Sequence, residues 1–379
     1  MDNIAGKKPA LLWAVHLSVA LLVFLWVVPT FGLFVSSFRT GDQISNSGWW
    51  RSFQTQESQL PAIRIRGEAA ERDGAFVIAG DLFEGTGAEI SRWGVNSRDI
   101  EAFAAGETAD LGEGQRLTVQ ADGFYELTSE TSLEGARLPR VFVTASTPPD
   151  FTVQNYNNVL FSPLAGQSIG QAFLNTLTVA IPATIIPILV AAFAAYALAW
   201  MDFPGRALLV AFVVGLLVVP LQLALIPLLQ FHNWIGIGKG YLGIWLAHTG
   251  FGLPLAVYLL RNYMVGLPRD IIESAKVDGA SDFEIFVKII LPLSFPALAS
   301  FAIFQFLWTW NDLLVALVFL GTGNDQQVLT GNLVNLMGSR GGDWEILATA
   351  AFISIAVPLI VFFAMQKYLV RGLLAGSVK

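Results

Sequence analysis

Long apolar runs separated by short polar stretches set the frame of this 379-residue chain. Six of them approach or exceed roughly 20 residues, the length a helix needs to cross about 30 Å of hydrocarbon. They are Leu11–Val35, Leu174–Trp200, Ala207–Leu229, Leu242–Leu260, Leu293–Leu320 and Ile346–Leu369, and each predicts one spanning helix. Pro29, Pro182, Pro187, Pro220, Pro227, Pro254 and Pro358 predict kinks, because neighbouring helices in a bundle can satisfy the carbonyls that proline frees. Between the first and second runs the period changes to two. Ile63–Ile65, Ala75–Ile78, Arg116–Val119, Phe124–Leu127 and Arg140–Val143 read as strands, with hairpin turns at Asp73-Gly74 and Asp122-Gly123. The pattern predicts an all-α membrane body carrying a small β-rich domain, about residues 45–147, between helices one and two. No sequence-level repeat is visible.

Composition sharpens this picture. The chain is 54% hydrophobic and only 13% charged, where soluble domains run near a quarter charged. It has no cysteine, which excludes disulfides, thiolate nucleophiles and cysteine metal sites; three scattered histidines make a histidine metal cluster unexpected. Residues 39–170 hold 10 Arg, no Lys and 18 acidic residues, so one acidic segment is set into a nearly neutral membrane body. The first apolar run follows Lys7 and Lys8, but it is too long for a signal-peptide core and no A-x-A site follows, so it reads as an uncleaved anchor. With the N-terminus inside, Lys7, Lys8, Arg206, Arg261, Arg269, Lys276, Lys288, Lys367, Arg371 and Lys379 fall on the inner side. Only Lys239 and Arg340 fall in the short outer loops. The positive-inside rule then places both ends in the cytoplasm. Residues 1–38 form the cytoplasmic start and helix one, 39–170 lie outside with the inserted domain, and 171–379 form a five-helix core whose loop 321–343 is also outside.

The polar segment between the fourth and fifth runs is unusually ordered. Pro268 suits a helix start, and Arg269–Val277 reads as a short helix with Ile271, Ile272 and Ala275 available for burial. Gly279 can close it in a left-handed conformation. Ser281-Asp-Phe-Glu284 has the spacing of a capping box and opens a second helix running to Leu291-Pro292. Helix, tight turn, helix predicts a stiff knob. The spacing E-x-A-x₃-G-x₉-I-x-L-P, carried by Glu273, Ala275, Gly279, Ile289, Leu291 and Pro292, resembles the EAA loop of permeases in binding-protein-dependent ABC importers, with Ser274 in place of the usual middle Ala. Phe151-Thr-Val-Gln-Asn-Tyr156, Trp310-Asn-Asp312 and the tail Gln366–Lys379 resemble the maltose-type second sugar permease subunit. The insertion near 45–147 resembles the alpha-glucoside permeases.

The resemblance implies a six-helix type I ABC importer fold in a bacterial inner membrane. It implies a second permease, two cytoplasmic ATPase subunits that bind ATP and Mg, an extracytoplasmic solute-binding protein and a sugar cargo. It implies no cofactor on this chain, no nucleic acid and no catalysis. Glu273 would be the charge seated in the ATPase cleft, Ala275 would allow close approach and Gly279 would set the bend, with Ser274, Asp278 and Ala280 in the same coupling loop, residues 264–292. Loop 321–343 would meet the binding protein and the tail the ATPase pair.

Other polar positions carry two readings each. Asp312, about 28 Å along the fifth run, is a packing carboxylate near the outer boundary or lines the substrate path together with Asn311 and Gln305. Gln222, Gln230 and His248 are interhelical hydrogen-bonding groups or line that path; His16 reads as packing or gating. Phe301, Phe304, Phe306, Trp308 and Trp310 could stack on sugar rings or form an interfacial belt. Gly236–Gly240 lacks Walker spacing and reads as a turn. Three rivals are a membrane-anchored ligand sensor, a stand-alone secondary carrier, and a permease of the same family for another solute. The sensor lacks a cytoplasmic output segment in this sequence; the carrier lacks repeat symmetry.

Overall fold

The computed structural model describes residues 9–374, apart from Glu68, Asp73, 84–87, 134–137, Pro148, 164–167, Asn324 and Arg340. The expectations for Lys7, Lys8, Arg340 and the tail residues 375–379 lie outside the described residues. The chain forms two compact units, residues 1–152 and 153–379.

The first unit begins with α1 (Pro9–Ser36), whose residues from Leu11 to Val27 are exposed and almost all apolar. A bare apolar face of that kind is stable in lipid and costly in water. α2 (Gly41–Asn46) starts at a Thr40/Gln43 capping box. The buried Arg39 guanidinium donates to the Gln43 and Ser47 carbonyls and the Ser47 hydroxyl. Trp49 sits edge-on to Phe31 at 5.7 Å and covers Gly32, where a Cβ would fall 2.5 Å from the indole nitrogen.

Ten strands follow: β1 (Gln56–Gln59), β2 (Ile63–Arg64), β3 (Ala70–Arg72), β4 (Ala75–Asp81), β5 (Glu89–Gly94), β6 (Phe103–Ala104), β7 (Thr108–Gly112), β8 (Gln115–Val119), β9 (Phe124–Ser129) and β10 (Arg140–Thr147). They make two antiparallel sheets, β1-β10-β5-β6 with β2 also on β10, and β3-β4-β9-β8-β7. The β8–β9 hairpin turns at Asp122-Gly123 as its sequence predicts: Gly123 has φ 92° and Leu117 pairs with Leu127. β3 pairs with β4 across Gly74 (φ 80°); Asp73 itself lies outside the described residues. Alternate residues of both sheets share one core, including Ile78, Trp93, Leu117, Leu127 and Val141. The Trp93 indole donates to the Ala104 carbonyl at 3.0 Å, so the largest buried ring keeps a polar partner.

The inserted chain leaves and returns side by side. Gln56 pairs with Thr147, the Thr152 amide donates to the Phe38 carbonyl at 2.8 Å, and the Gln43 side chain donates to the Asp150 carbonyl at 3.2 Å. Paired antiparallel residues lie about 5 Å apart, so a linker of roughly three or four residues spans the ends. Replacing 56–147 by such a linker is expected to leave membrane insertion intact, as fractionation and protease protection would show. Loss of the protein from the membrane would contradict independent folding of the insertion.

The second unit is helical: α3 (Gln154–Phe161), α4 (Ile169–Trp200), α5 (Arg206–Leu216), α6 (Leu221–Trp234), α7 (Tyr241–Val265), α8 (Arg269–Val277), α9 (Asp282–Ile285), α10 (Leu291–Leu293), α11 (Phe295–Trp310), α12 (Leu314–Phe319), α13 (Leu329–Ser339) and α14 (Trp344–Leu374). α4 packs along α7, and α11 packs against α4 and α14. Ala191, Ala192 and Ala195 of α4 and Ala256 of α7 are fully or almost fully buried in one core, and small side chains let membrane helices approach closely.

Among the described residues, α1, α4, α7 and α14 are each long and apolar enough to cross a membrane. Two apolar runs that read as single helices are instead broken. Ala207–Leu229 divides into α5 and α6, bent by 109°. Pro220 has no N–H to continue the ladder and disfavours helical geometry at Val219, so 217–219 close in tighter turns. Leu293–Leu320 divides at 311–313, where the Asp312 carboxylate accepts the Val315 N–H at 2.9 Å and opens α12. The loop 321–343 contains α13, which is tied to α4: Asn175 donates to the Asp325 and Gln327 carbonyls, and the Leu329 N–H to Thr176.

Candidate functional site

Two polar features stand out in the second unit. The first is the loop between α7 and α11. α8 ends in a Schellman turn: the Gly279 N–H donates to the Lys276 carbonyl at 3.1 Å and the Ala280 N–H to the Ala275 carbonyl at 3.0 Å. That geometry places Gly279 at φ 85°, open to glycine and strained for other residues. Ala275 and Ala280, either side of the turn, are half-buried against the core. The next helix opens on the expected capping box, with Ser281 Oγ accepting the Glu284 N–H at 3.3 Å and Glu284 Oε2 accepting the Ser281 N–H at 3.1 Å.

The Ser281 N–H, together with Lys288 at 3.0 Å and the Ser281 hydroxyl, holds the Glu284 carboxyl down at about 2. Because its pKa is lowered, the stabilisation is complete above about 4.5, the ordinary value, and is lost as pH falls through about 2. Ser281→Ala is expected to raise the Glu284 pKa towards its ordinary value and to weaken this helix start by about 1 kcal/mol. Carboxyl-carbon NMR and hydrogen exchange at the Glu284 amide measure the two effects.

Ile272, Ile285, Phe286 and Ile290 are buried in the same core as α4, α7 and α11, and the Phe286 ring packs at a tilt against Phe193 and Tyr196 of α4. The second helix of the loop is less regular than its sequence suggests. Phe286–Ile290 widen into a π-turn before α10, where Pro292 has no N–H for an α-helical bond. Ile289 and Leu291 are half-buried and Pro292 is exposed. Glu273, Ser274, Asp278 and Gly279 are exposed, beside Val277 at 87% and Phe283 at 65% exposure. The loop therefore presents a charged and apolar outer face on a base locked into three long helices.

The second feature is a polar line inside the bundle. Gln305 of α11, 2% exposed, donates to the Ala183 carbonyl of α4 at 3.1 Å and to the His248 carbonyl of α7 at 3.4 Å. It lies over Gly252, where a Cβ would meet its amide oxygen at 2.7 Å. His248 Nε2 stands 3.7 Å from Asp312 Oδ2. Asp312 and Gln222 line one cavity of about 730 Å³ bounded by α5, α6, α7 and α11. Asn311 instead points its amide to the Leu307 carbonyl at 2.8 Å and is exposed. Of the four residues expected to line a substrate path, the structure thus brings Gln222 and Asp312 together, uses Gln305 as a helix tie, and leaves Asn311 apart. Among the described residues no group of three or more His, Asp or Glu side chains is placed to hold a metal ion.

Residues 183–374 match the family model of the binding-protein-dependent transport system inner membrane component. The chain belongs to this family. The matched span contains the whole loop and all four candidate substrate-path residues. An alpha-glucoside transport system permease protein of Rhizobium meliloti is 65% identical over 381 residues, covering 99% of both chains. An osmoprotective compounds uptake permease protein of Synechocystis sp. is 61% identical over 229 residues, 60% of this chain and 76% of that one. A trehalose transport system permease protein of Mycobacterium tuberculosis is 33% identical over 236 residues, 61% of this chain and 84% of that one. The first of these matches runs over the whole chain, insertion included.

Membership of the permease family makes this chain a transport component rather than an enzyme. Sequence reasoning found the loop because its signals are local. It missed the Gln305–Gly252 contact and the shared cavity of Gln222 and Asp312, which join residues far apart in the chain. It also left Trp308 and Trp310 in one class, whereas Trp310 is buried, stacks on Phe306 at 5.5 Å and donates to the Ser354 carbonyl at 3.0 Å. Trp308 lines the cavity.

Proposed function

We propose that this permease is one of two transmembrane subunits of an ATP-driven importer that takes up an alpha-glucoside by alternating access. The full-length 65% identity to an alpha-glucoside permease, insertion included, supports the cargo. The partners are a second permease, two cytoplasmic ATPases that bind ATP and Mg, and an extracytoplasmic binding protein. The chain crosses the inner membrane six times, with the bent pair α5–α6 and the run through α11 supplying the two spans beyond α1, α4, α7 and α14, and both termini are cytoplasmic. The insertion and loop 321–343 lie outside.

The observation that carries this reading is the locked loop at 268–292. Its exposed Glu273 and Ser274, with Val277 and Phe283, form the face that meets the ATPase. Ala275, Ala280, Ile289 and Leu291 seat it, Gly279 and Asp278 form its bend, and Pro292 ends it. Ile272, Ile285, Phe286 and Ile290 transmit displacement to α4, α7 and α11, because a packed core moves as a unit. Gln222 and Asp312 line the substrate path; Gln305 braces it, and Asn311 lies at its margin.

Glu273→Arg tests the docking role. Reversing one partner of a desolvated charge pair costs about 2–5 kcal/mol, so the ATPase pair is expected to be lost from the purified complex, with uptake, while membrane insertion is unchanged. Normal co-purification and uptake would overturn the assignment.

A further inference from the structure

We propose that Trp49, Trp50, Phe53 and Phe151 form an aromatic foot that rests in the outer headgroup layer of the membrane and holds the base of the inserted β domain against the lipid surface. This rests on the reading above that α1 crosses the membrane with its N-terminus inside.

The height of the foot follows from α1. Phe31 lies 20 residues past Leu11, about 30 Å along the helix, which is the thickness of the hydrocarbon core. Trp49 folds back to that level, edge-on to Phe31 at 5.7 Å and over Gly32. Trp50 stands edge-on to Trp49 at 6.0 Å, and its ring lies so close over Gly48 that a Cβ there would overlap it. Two glycines thus seat two indoles at the outer boundary. Tryptophan collects at such boundaries because its ring is apolar while its N–H still reaches water or a headgroup.

The returning limb of the insertion completes the patch. Phe53 on the outgoing limb and Phe151 on the returning one have ring centroids 5.5 Å apart, close in sequence to the Gln56–Thr147 pair and the Thr152–Phe38 hydrogen bond. Trp50 is 65% exposed, Phe53 61% and Phe151 44%, an arrangement costly in water. Lipid is the occupant the surroundings favour. Val27, Phe31 and Phe34, on one face of α1, carry its exposed apolar surface up to Trp49 without a polar break. From Ile44 to Gln56 the one charged residue is Arg51, although residues 39–170 hold 18 acidic residues against 10 Arg. The foot can therefore meet anionic headgroups that repel the rest of the segment. Asp150 precedes Phe151 and is exposed, which sets the patch among headgroups rather than in hydrocarbon, where a carboxylate is costly.

The test uses the complete complex in its native membrane. The photo-reactive residue p-benzoylphenylalanine, which keeps an aromatic ring, is placed singly at 50, 53 or 151, and as a control at 113 in the exposed β7–β8 turn. After irradiation, mass spectrometry of this chain is expected to show at least about fivefold more phospholipid adduct at 50, 53 and 151 than at 113. Adduct no greater than at 113 overturns the proposal. So does a dominant cross-link from these positions to the second permease or the binding protein, which would make the patch a protein interface. Failure of the topology looks different: the thiol of Glu113→Cys, the one cysteine on this chain, would then react with a membrane-impermeant maleimide only from the cytoplasmic side.

Discussion

Replacing Gly279 by proline is expected to abolish sugar uptake, by about a hundredfold or more, while the chain still inserts into the membrane. Gly279 adopts φ 85°, whereas proline is locked near −65°. The substitution also removes the N–H that bonds the Lys276 carbonyl and misdirects the Ala280 N–H that bonds Ala275. Left-handed strain and the lost bonds together amount to about 2–4 kcal/mol, comparable with the 2.8 kcal/mol or so that a hundredfold effect represents. Gly279→Ala isolates the backbone term. Its Cβ meets nothing within 4 Å, so only strain of about 1 kcal/mol remains and uptake should fall less than tenfold. Equal uptake in the Ala and Pro variants would show that the turn transmits nothing. Uptake and ATPase co-purification, measured on the same membranes, give both readouts.

Gly252→Ala is expected to destabilise the bundle, and Gln305→Ala to relieve much of that damage. A methyl group at 252 lands 2.7 Å from the Gln305 amide oxygen and 2.9 Å from its nitrogen, so the side chain must leave its site. Its bonds to the Ala183 and His248 carbonyls, which join α11 to α4 and α7, are then lost. Overpacking and two broken interhelical bonds predict about 1–3 kcal/mol for Gly252→Ala. In Gln305→Ala the space is vacated, so adding Gly252→Ala should cost little more. Thermal unfolding of the four purified proteins closes the double-mutant cycle. Simple additivity would mean that the close approach is not what Gly252 is for.

These two sites show which parts of the molecule its sequence discloses. The 268–292 loop was legible because each of its devices is local: a glycine closing a helix, a serine three residues before a glutamate, apolar residues at helical spacing. The β8–β9 hairpin was legible for the same reason, with an Asp-Gly turn between two alternating runs. The long helices α1, α4, α7 and α14 follow from uninterrupted apolar length. The breaks at 217–220 and 311–313 were not visible. Apolar sequence flanks both breaks; proline in a membrane helix reads equally as a kink or a break, and a polar pair such as Asn311-Asp312 reads equally as a path-lining or a helix-ending one.

α13 was hidden in a loop read only by its side of the membrane, although Leu329 and Leu336, both buried, stand two turns apart. The short strands β5 and β6 carry too few alternating residues to signal themselves; partners on β10 and β5 create them. The role of Gln305 and the meeting of Gln222 with Asp312 depend on helix packing across more than 50 residues of chain. No local pattern encodes that.

The account depends on force passing from a separate nucleotide-hydrolysing pair through a stiff elbow into the helices around the cargo. ATP-driven accumulation of labelled alpha-glucoside in proteoliposomes, measured with and without the ATPase pair, addresses this most directly. The expected result is accumulation only when the ATPases, the second permease, the binding protein and ATP are all present. Accumulation by this chain in their absence would contradict it.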